Sequence, residues 1–161
     1  MKKLFLILFA GLIWSGSSFA NEIILNCKYL NGINYYDDGK TGYIDREGMI
    51  KRGIEWDRKY LINVNKKELF EESAYDKEFF LIENSTKAET DSQIDWNDMN
   101  ITWWITTENQ DLKGYTKSVL DRSTGSLKIL NSYGESNLFR KSTNLKSVES
   151  NYNCEVVKKK F

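Results

Sequence analysis

The sequence predicts an all-β protein, an antiparallel meander of short strands that closes into a small barrel with its first and last strands joined by a disulfide. Three observations carry this. Segments with apolar residues at every second position recur along the chain, punctuated roughly every 8 to 12 residues by clusters of Gly, Asn, Asp and Ser. The only two cysteines, Cys27 and Cys154, stand near the two ends, each on the apolar side of such a segment. The chain also opens on a stretch that reads as an export signal, so these thiols are expected to meet an oxidising compartment.

In residues 1–20, Lys2 and Lys3 precede an apolar run from Leu4 to Trp14 and a small-residue cut site at Ala20. A run this short falls below the roughly 20 apolar residues of a membrane span, and no later stretch approaches it. Residues 21–161 are then expected to form one β domain, exported to the periplasm or beyond, soluble and monomeric. Removing two lysines from a balanced 23 against 23 leaves 21 − 23 = −2. Such a balance supplies no basic field for nucleic acid.

The first strand places Ile23, Leu25, Cys27 and Tyr29 on one face, and the last places Tyr152, Cys154 and Val156 on one face. A bond between the cysteines requires Cα atoms about 4.4 to 6.8 Å apart. Turns are expected at Asn31-Gly-Ile-Asn34 and at Asp37-Asp-Gly-Lys-Thr-Gly42. Tyr43–Gly48 and Met49–Arg52 read as the arms of a weakly alternating hairpin. Tyr60, Ile62 and Val64 alternate in a strand that Asn65–Glu68 turns back along Leu69–Glu72. A helix begun by Asn65 and Glu68 as a capping box is the alternative for residues 65–76. Lys77–Asn84 is an apolar strand candidate whose two faces, Phe79 with Leu81 and Phe80 with Ile82, both need cover, and 85–98 reads as a polar loop or irregular edge.

Ile101–Thr107 is wholly β-branched or aromatic and is the clearest strand. Tyr115–Leu120 and Leu127–Leu130 form a hairpin through Asp121-Arg-Ser-Thr-Gly125, where Gly125 takes the left-handed position of a bulged turn. Asn137–Arg140 is read as a further strand and 141–150 as a polar connection. Stapled ends favour a barrel; a β-sandwich whose outer strands are neighbours is the competing architecture.

The run Val119-Leu-Asp-Arg-Ser-Thr-Gly-Ser-Leu127, with the early cysteine and the terminal Tyr-x-Cys strand, resembles small exported bacterial β-rich proteins of unassigned function. The resemblance implies a compartment and a style of fold, and no catalytic or ligand residue.

Two barrel families fail on their diagnostic positions. A lipocalin carries Gly-x-Trp near its first strand, whereas Gly53-Ile-Glu-Trp56 is one residue too long and lies elsewhere. An outer-membrane barrel would end on Phe161, but Glu155 and Lys159 would face lipid at about 2–4 kcal/mol per charge near the midplane.

With no histidine in the chain, Ser-His-Asp and Cys-His catalysis and imidazole metal sites are excluded. No metal and no cofactor is expected. Asp91, Asp95 and Asp98 lack the spacing of a calcium loop and read as a solvated connection. The remaining enzymatic option is a hydrolase with two carboxylates acting on an envelope or extracellular substrate. A binding or interaction module is preferred, because 18 of the 22 aromatic residues lie beyond residue 20. Trp103 and Trp104 are adjacent on a strand and must face opposite ways: Trp103 inward with Ile101 and Ile105, Trp104 outward beside threonines, the amphipathic setting of binding surfaces. Trp96, Trp103 and Trp104 are therefore the candidate ligand-binding residues, for a small molecule or a protein partner.

Overall fold

The computed structural model describes residues 22–51, 56–83, 85–87, 90–108 and 113–160. Residues 1–20, which the sequence reads as an export signal, the Gly53-Ile-Glu stretch, residues 109–112 and Phe161 lie outside them. Eleven strands form one antiparallel sheet: β1 (Glu22–Tyr36), β2 (Thr41–Asp45), β3 (Arg58–Asn63), β4 (Glu68–Glu72), β5 (Phe79–Ile82), β6 (Ser85–Lys87), β7 (Thr90–Trp96), β8 (Asn100–Thr107), β9 (Gly114–Asp121), β10 (Ser126–Tyr133) and β11 (Leu145–Lys160). Among the described residues two short helices interrupt the strands, α1 (Arg46–Lys51) and α2 (Leu138–Thr143). The strand order β5-β4-β3-β1-β11-β10-β9-β8-β7-β6 is a meander rolled round until its first long strand meets its last, with β2 on the flank of β1. Nine strands make a nearly closed barrel. Its open seam falls between β5 and β6, where the Ser92 hydroxyl donates to the Glu83 carbonyl (2.7 Å).

Closure is made by β1 against β11. Cys27 stands directly opposite Cys154 and Tyr29 opposite Tyr152. The two cysteines are disulfide-bonded, with Cα atoms 3.9 Å apart. The residues are a directly facing cross-strand pair of the kind without mutual backbone bonds, which is the closer of the two kinds. Consistently, the Cys154 N–H turns away from β1 and donates to the Gly125 carbonyl (2.8 Å).

The period-two pattern now has a physical meaning. Ile23, Leu25, Cys27 and Tyr29 from β1, Tyr60 and Ile62 from β3, Leu69 from β4, Ile101 and Trp103 from β8, Leu120 from β9, and Leu127 and Ile129 from β10 are all buried together. The Trp103 ring meets Tyr60 edge-on, centroids 5.4 Å apart, so the two walls of the barrel touch across its centre. The outer face is polar: Gln93, Lys117, Lys128 and Asn153 are exposed at positions alternating with the core residues. Among the described residues, no helix is long and apolar enough to cross a membrane.

Residues 58–72 form the expected hairpin rather than the helix, and Gly125 has φ +72° as its turn requires. Five expectations are corrected. First, Asn31–Asn34 is not a turn. β1 runs through it with a register shift between Tyr29 and Asn31, and Gly32 permits this because a Cβ there would sit 2.7 Å from both the Glu149 carbonyl and the Tyr29 hydroxyl. Second, the hairpin over 43–52 is β2 followed by α1. The Asp45 carboxylate accepts from the Gly48 N–H (2.6 Å), Glu47 pairs with Lys51 one turn on, and Met49 is buried. Third, 85–98 is not a loop. It holds β6 and β7, with Ser92 buried and Ile94 and Trp96 packed on the core while Gln93 and Asp95 are exposed.

Fourth, Asn137–Arg140 is the start of α2. Asn137 caps it by accepting from the N–H groups of Phe139 and Arg140, and β11 already begins at Leu145. Fifth, β5 is not covered on both faces: Ile82 is buried, but Phe80 is 50% exposed and Leu81 lies open. The seam explains this, since β5 has a neighbour on one side only.

Beyond the end of β3, the flank of β1 is closed by an ion pair. Arg46 grips Asp57 with both terminal nitrogens (2.6 and 2.9 Å), and Asp57 accepts the Tyr29 N–H (2.9 Å) that no neighbouring strand reaches. The Arg46 hydrogen bond, aided by the Tyr29 N–H, outweighs burial and holds the Asp57 carboxyl below the ordinary carboxylate value. Because the folded value is lowered, its contribution is complete above the unfolded value of about 4 and is lost as pH falls through the lower folded one. Thermal melts between neutral pH and about pH 2 should therefore show a steeper loss below about pH 4 in the wild type than in Asp57→Asn. At neutral pH that variant should be destabilised by about 1–3 kcal/mol. Parallel pH profiles for the two proteins would contradict the assignment.

Candidate functional site

Beyond Tyr60, the inward positions of several strands turn from apolar to polar. Two residues before Tyr60 on β3 stands Arg58, and two after Leu69 on β4 stands Glu71. Two after Ile129 on β10 stands Asn131, and two before Tyr152 on β11 stands Ser150. These are core-facing register positions filled by hydrogen-bonding groups. Together with Ser73, Ala74, Tyr75 and Lys77 they line a cavity of about 950 Å³. Five aromatic residues line it as well: Trp56, Tyr75, Phe80, Tyr133 and Tyr152.

Two charged pairs belong to its lining. Arg58 donates to Glu71, which also accepts from the Tyr60 hydroxyl (3.3 Å). Lys59 pairs with Glu72 at 2.6 Å. Burial works against the charge on Arg58, but Tyr60, Glu71 and Tyr152 around it more than offset that, and its pKa is raised. Burial first, then the Glu71 carboxylate, pushes Tyr60 well above the usual phenol value, so it stays a neutral donor. Tyr133 is also raised by burial. Asn131 is oriented by Thr116, whose hydroxyl donates to its side-chain oxygen (2.8 Å), leaving the amide NH₂ as the free end.

The three tryptophans singled out from the sequence are placed apart from this cavity. Trp103 is 3% exposed in the core beside Ile101. Trp104 is half-buried on the outer face between Gln93 of β7 and Lys117 of β9. Trp96 packs against the edge of the core. None of them lines the cavity. Sequence reasoning weighed Trp56 only as a motif position and passed over Arg58, Glu71, Asn131 and Ser150. The signal that marks them is a polar residue standing where the alternation demands an apolar one.

Asp91 and Asp98 do not gather round a common point with Asp95: Asp91 and Asp95 belong to β7, and Asp98 lies in the turn to β8. Among the described residues no group of three or more metal-ligating side chains is brought together.

Fold and site together define a disulfide-closed antiparallel barrel with a polar, aromatic-lined mouth. No family model, no curated protein and no solved structure matches the chain.

Proposed function

We propose that the protein is an exported binding module whose small-molecule ligand occupies the mouth of the barrel. The observation that carries this is the cavity itself. Its volume of about 950 Å³ is near the upper end of the roughly 300–1,000 Å³ of ligand pockets, and it combines aromatic walls with a few fixed polar groups. The disulfide is consistent with an oxidising destination outside the cytoplasm. The alternative of a two-carboxylate hydrolase finds weaker support. Glu71 is committed to Arg58, Glu72 to Lys59 and Asp57 to Arg46, whereas a general acid needs surroundings that raise its pKa.

A screen of small polar and aromatic fragments, read by amide chemical shifts of the folded oxidised protein, tests this. Perturbations should gather on Trp56, Arg58, Tyr133 and Tyr152. Perturbations confined to the outer face round Trp104 would contradict the cavity and move binding to the sheet surface.

A further inference from the structure

We infer that the ligand of this cavity is a neutral saccharide. The inference rests on the cavity being a binding site and adds the chemistry of what enters it. Three cationic side chains, Arg58, Lys59 and Lys77, and three anionic ones, Asp57, Glu71 and Glu72, line the cavity, so its formal charge is zero. Five of these six sit in ion pairs with defined partners, Asp57 with Arg46 outside the lining. A cationic ligand would find every lining carboxylate already paired and would have to compete with an existing pair, and an anionic one would meet outside such pairs only Lys77, an exposed ammonium screened by water. An aliphatic chain fits no better, because the inward positions it would cover are Arg58, Glu71, Asn131 and Ser150, and dry contact would strip water from the ion pair.

A neutral polyol matches both halves of the lining. Its hydroxyls both donate and accept, as the fixed carboxylate, guanidinium, phenol and amide groups require. Its flat C–H faces pack on aromatic rings such as Phe80 and Trp56, which stand 50% and 37% exposed at the mouth. The Asn131 NH₂, left free by the Thr116 bond to its oxygen, is the group aimed at a ligand hydroxyl.

The test uses the intact oxidised protein and probes that differ in charge on one skeleton: neutral tri-N-acetylchitotriose against its cationic deacetylated form, and neutral cellotriose against the β-1,4-linked tri-glucuronate, with laurate as the aliphatic control. Binding is followed by the Trp56 indole resonance. A neutral saccharide should shift that resonance saturably and more tightly than its charged counterpart, and Phe80→Ala should weaken it about tenfold. Asn131→Ala should weaken it too, with both variants melting close to the wild type. Tighter binding of a charged probe or of laurate at the same resonance would overturn the saccharide assignment while leaving the mouth as a binding site. Saccharide binding untouched by both substitutions would overturn it by placing the sugar elsewhere. A Trp56 resonance that no probe moves would also overturn it, and the fragment screen then decides whether the cavity binds anything.

Discussion

Replacing both cysteines with serine should lower stability by up to about 4–5 kcal/mol, since the bond closes a loop of 127 residues. For a chain of this size that is a fall in midpoint of about 10–15 °C. The loss has two sources. The unfolded chain regains the freedom of a loop joining its extremes, and the β1–β11 ladder must then close the barrel by backbone pairing and side-chain contact alone. Thermal melts followed by circular dichroism should give the same midpoint for Cys27→Ser/Cys154→Ser and for wild type in reductant. An unchanged midpoint in both would mean that the strands are held as firmly without the bond, and that the long register from Glu22 to Tyr36 already suffices.

The second large effect is expected at Trp103. Its ring packs on Tyr60 across the barrel, so Trp103→Ala leaves a hole between the two walls and should cost about 3–5 kcal/mol. Trp104→Ala, one residue on, removes a half-buried ring from the outer face and should cost under about 1 kcal/mol. Urea unfolding of the two variants measures the contrast directly. Equal losses would contradict the assignment of the two rings to opposite faces of β8.

Much of the barrel was legible because strand alternation is a strict code wherever one face is buried. From Ile23 to Tyr29, from Tyr60 to Ile62 and from Ile101 to Trp103, every second residue is apolar and every one of those is in the core. The cysteines added a long-range constraint that alternation lacks, and it paired the correct two strands. The turn at Asp121–Gly125 was legible because its chemistry is local: the Asp121 carboxylate accepts from the Ser123 and Thr124 N–H groups, and Gly125 takes the positive φ.

The errors have equally specific causes. α1 and α2 are six residues each, too short to show a helical period, and both are set by one capping side chain, Asp45 or Asn137. β7 was hidden by its outward acids, since a strand with one polar face and small inward residues such as Ser92 resembles a loop in composition. The bulge at Gly32 depends on a close approach of β11 that only the folded chain creates. The cavity was missed for a related reason. Arg58, Glu71, Asn131 and Ser150 look like surface residues until the register shows them continuing inward-facing rows. Tryptophan content drew attention to β8, whereas the rings that line the mouth are mostly tyrosines and a phenylalanine elsewhere in the chain.

The most direct test is the register at which β1 meets β11, because the barrel, its core and the placement of Arg58 beside Tyr152 all follow from it. In a nuclear Overhauser spectrum of the oxidised protein, facing residues without mutual backbone bonds bring their α protons into close contact. The predicted result is strong α-proton cross-peaks for Cys27 with Cys154 and for Tyr29 with Tyr152. Cross-peaks displaced by one residue, or none between these strands, would contradict it and leave the inward rows, and with them the mouth, without support.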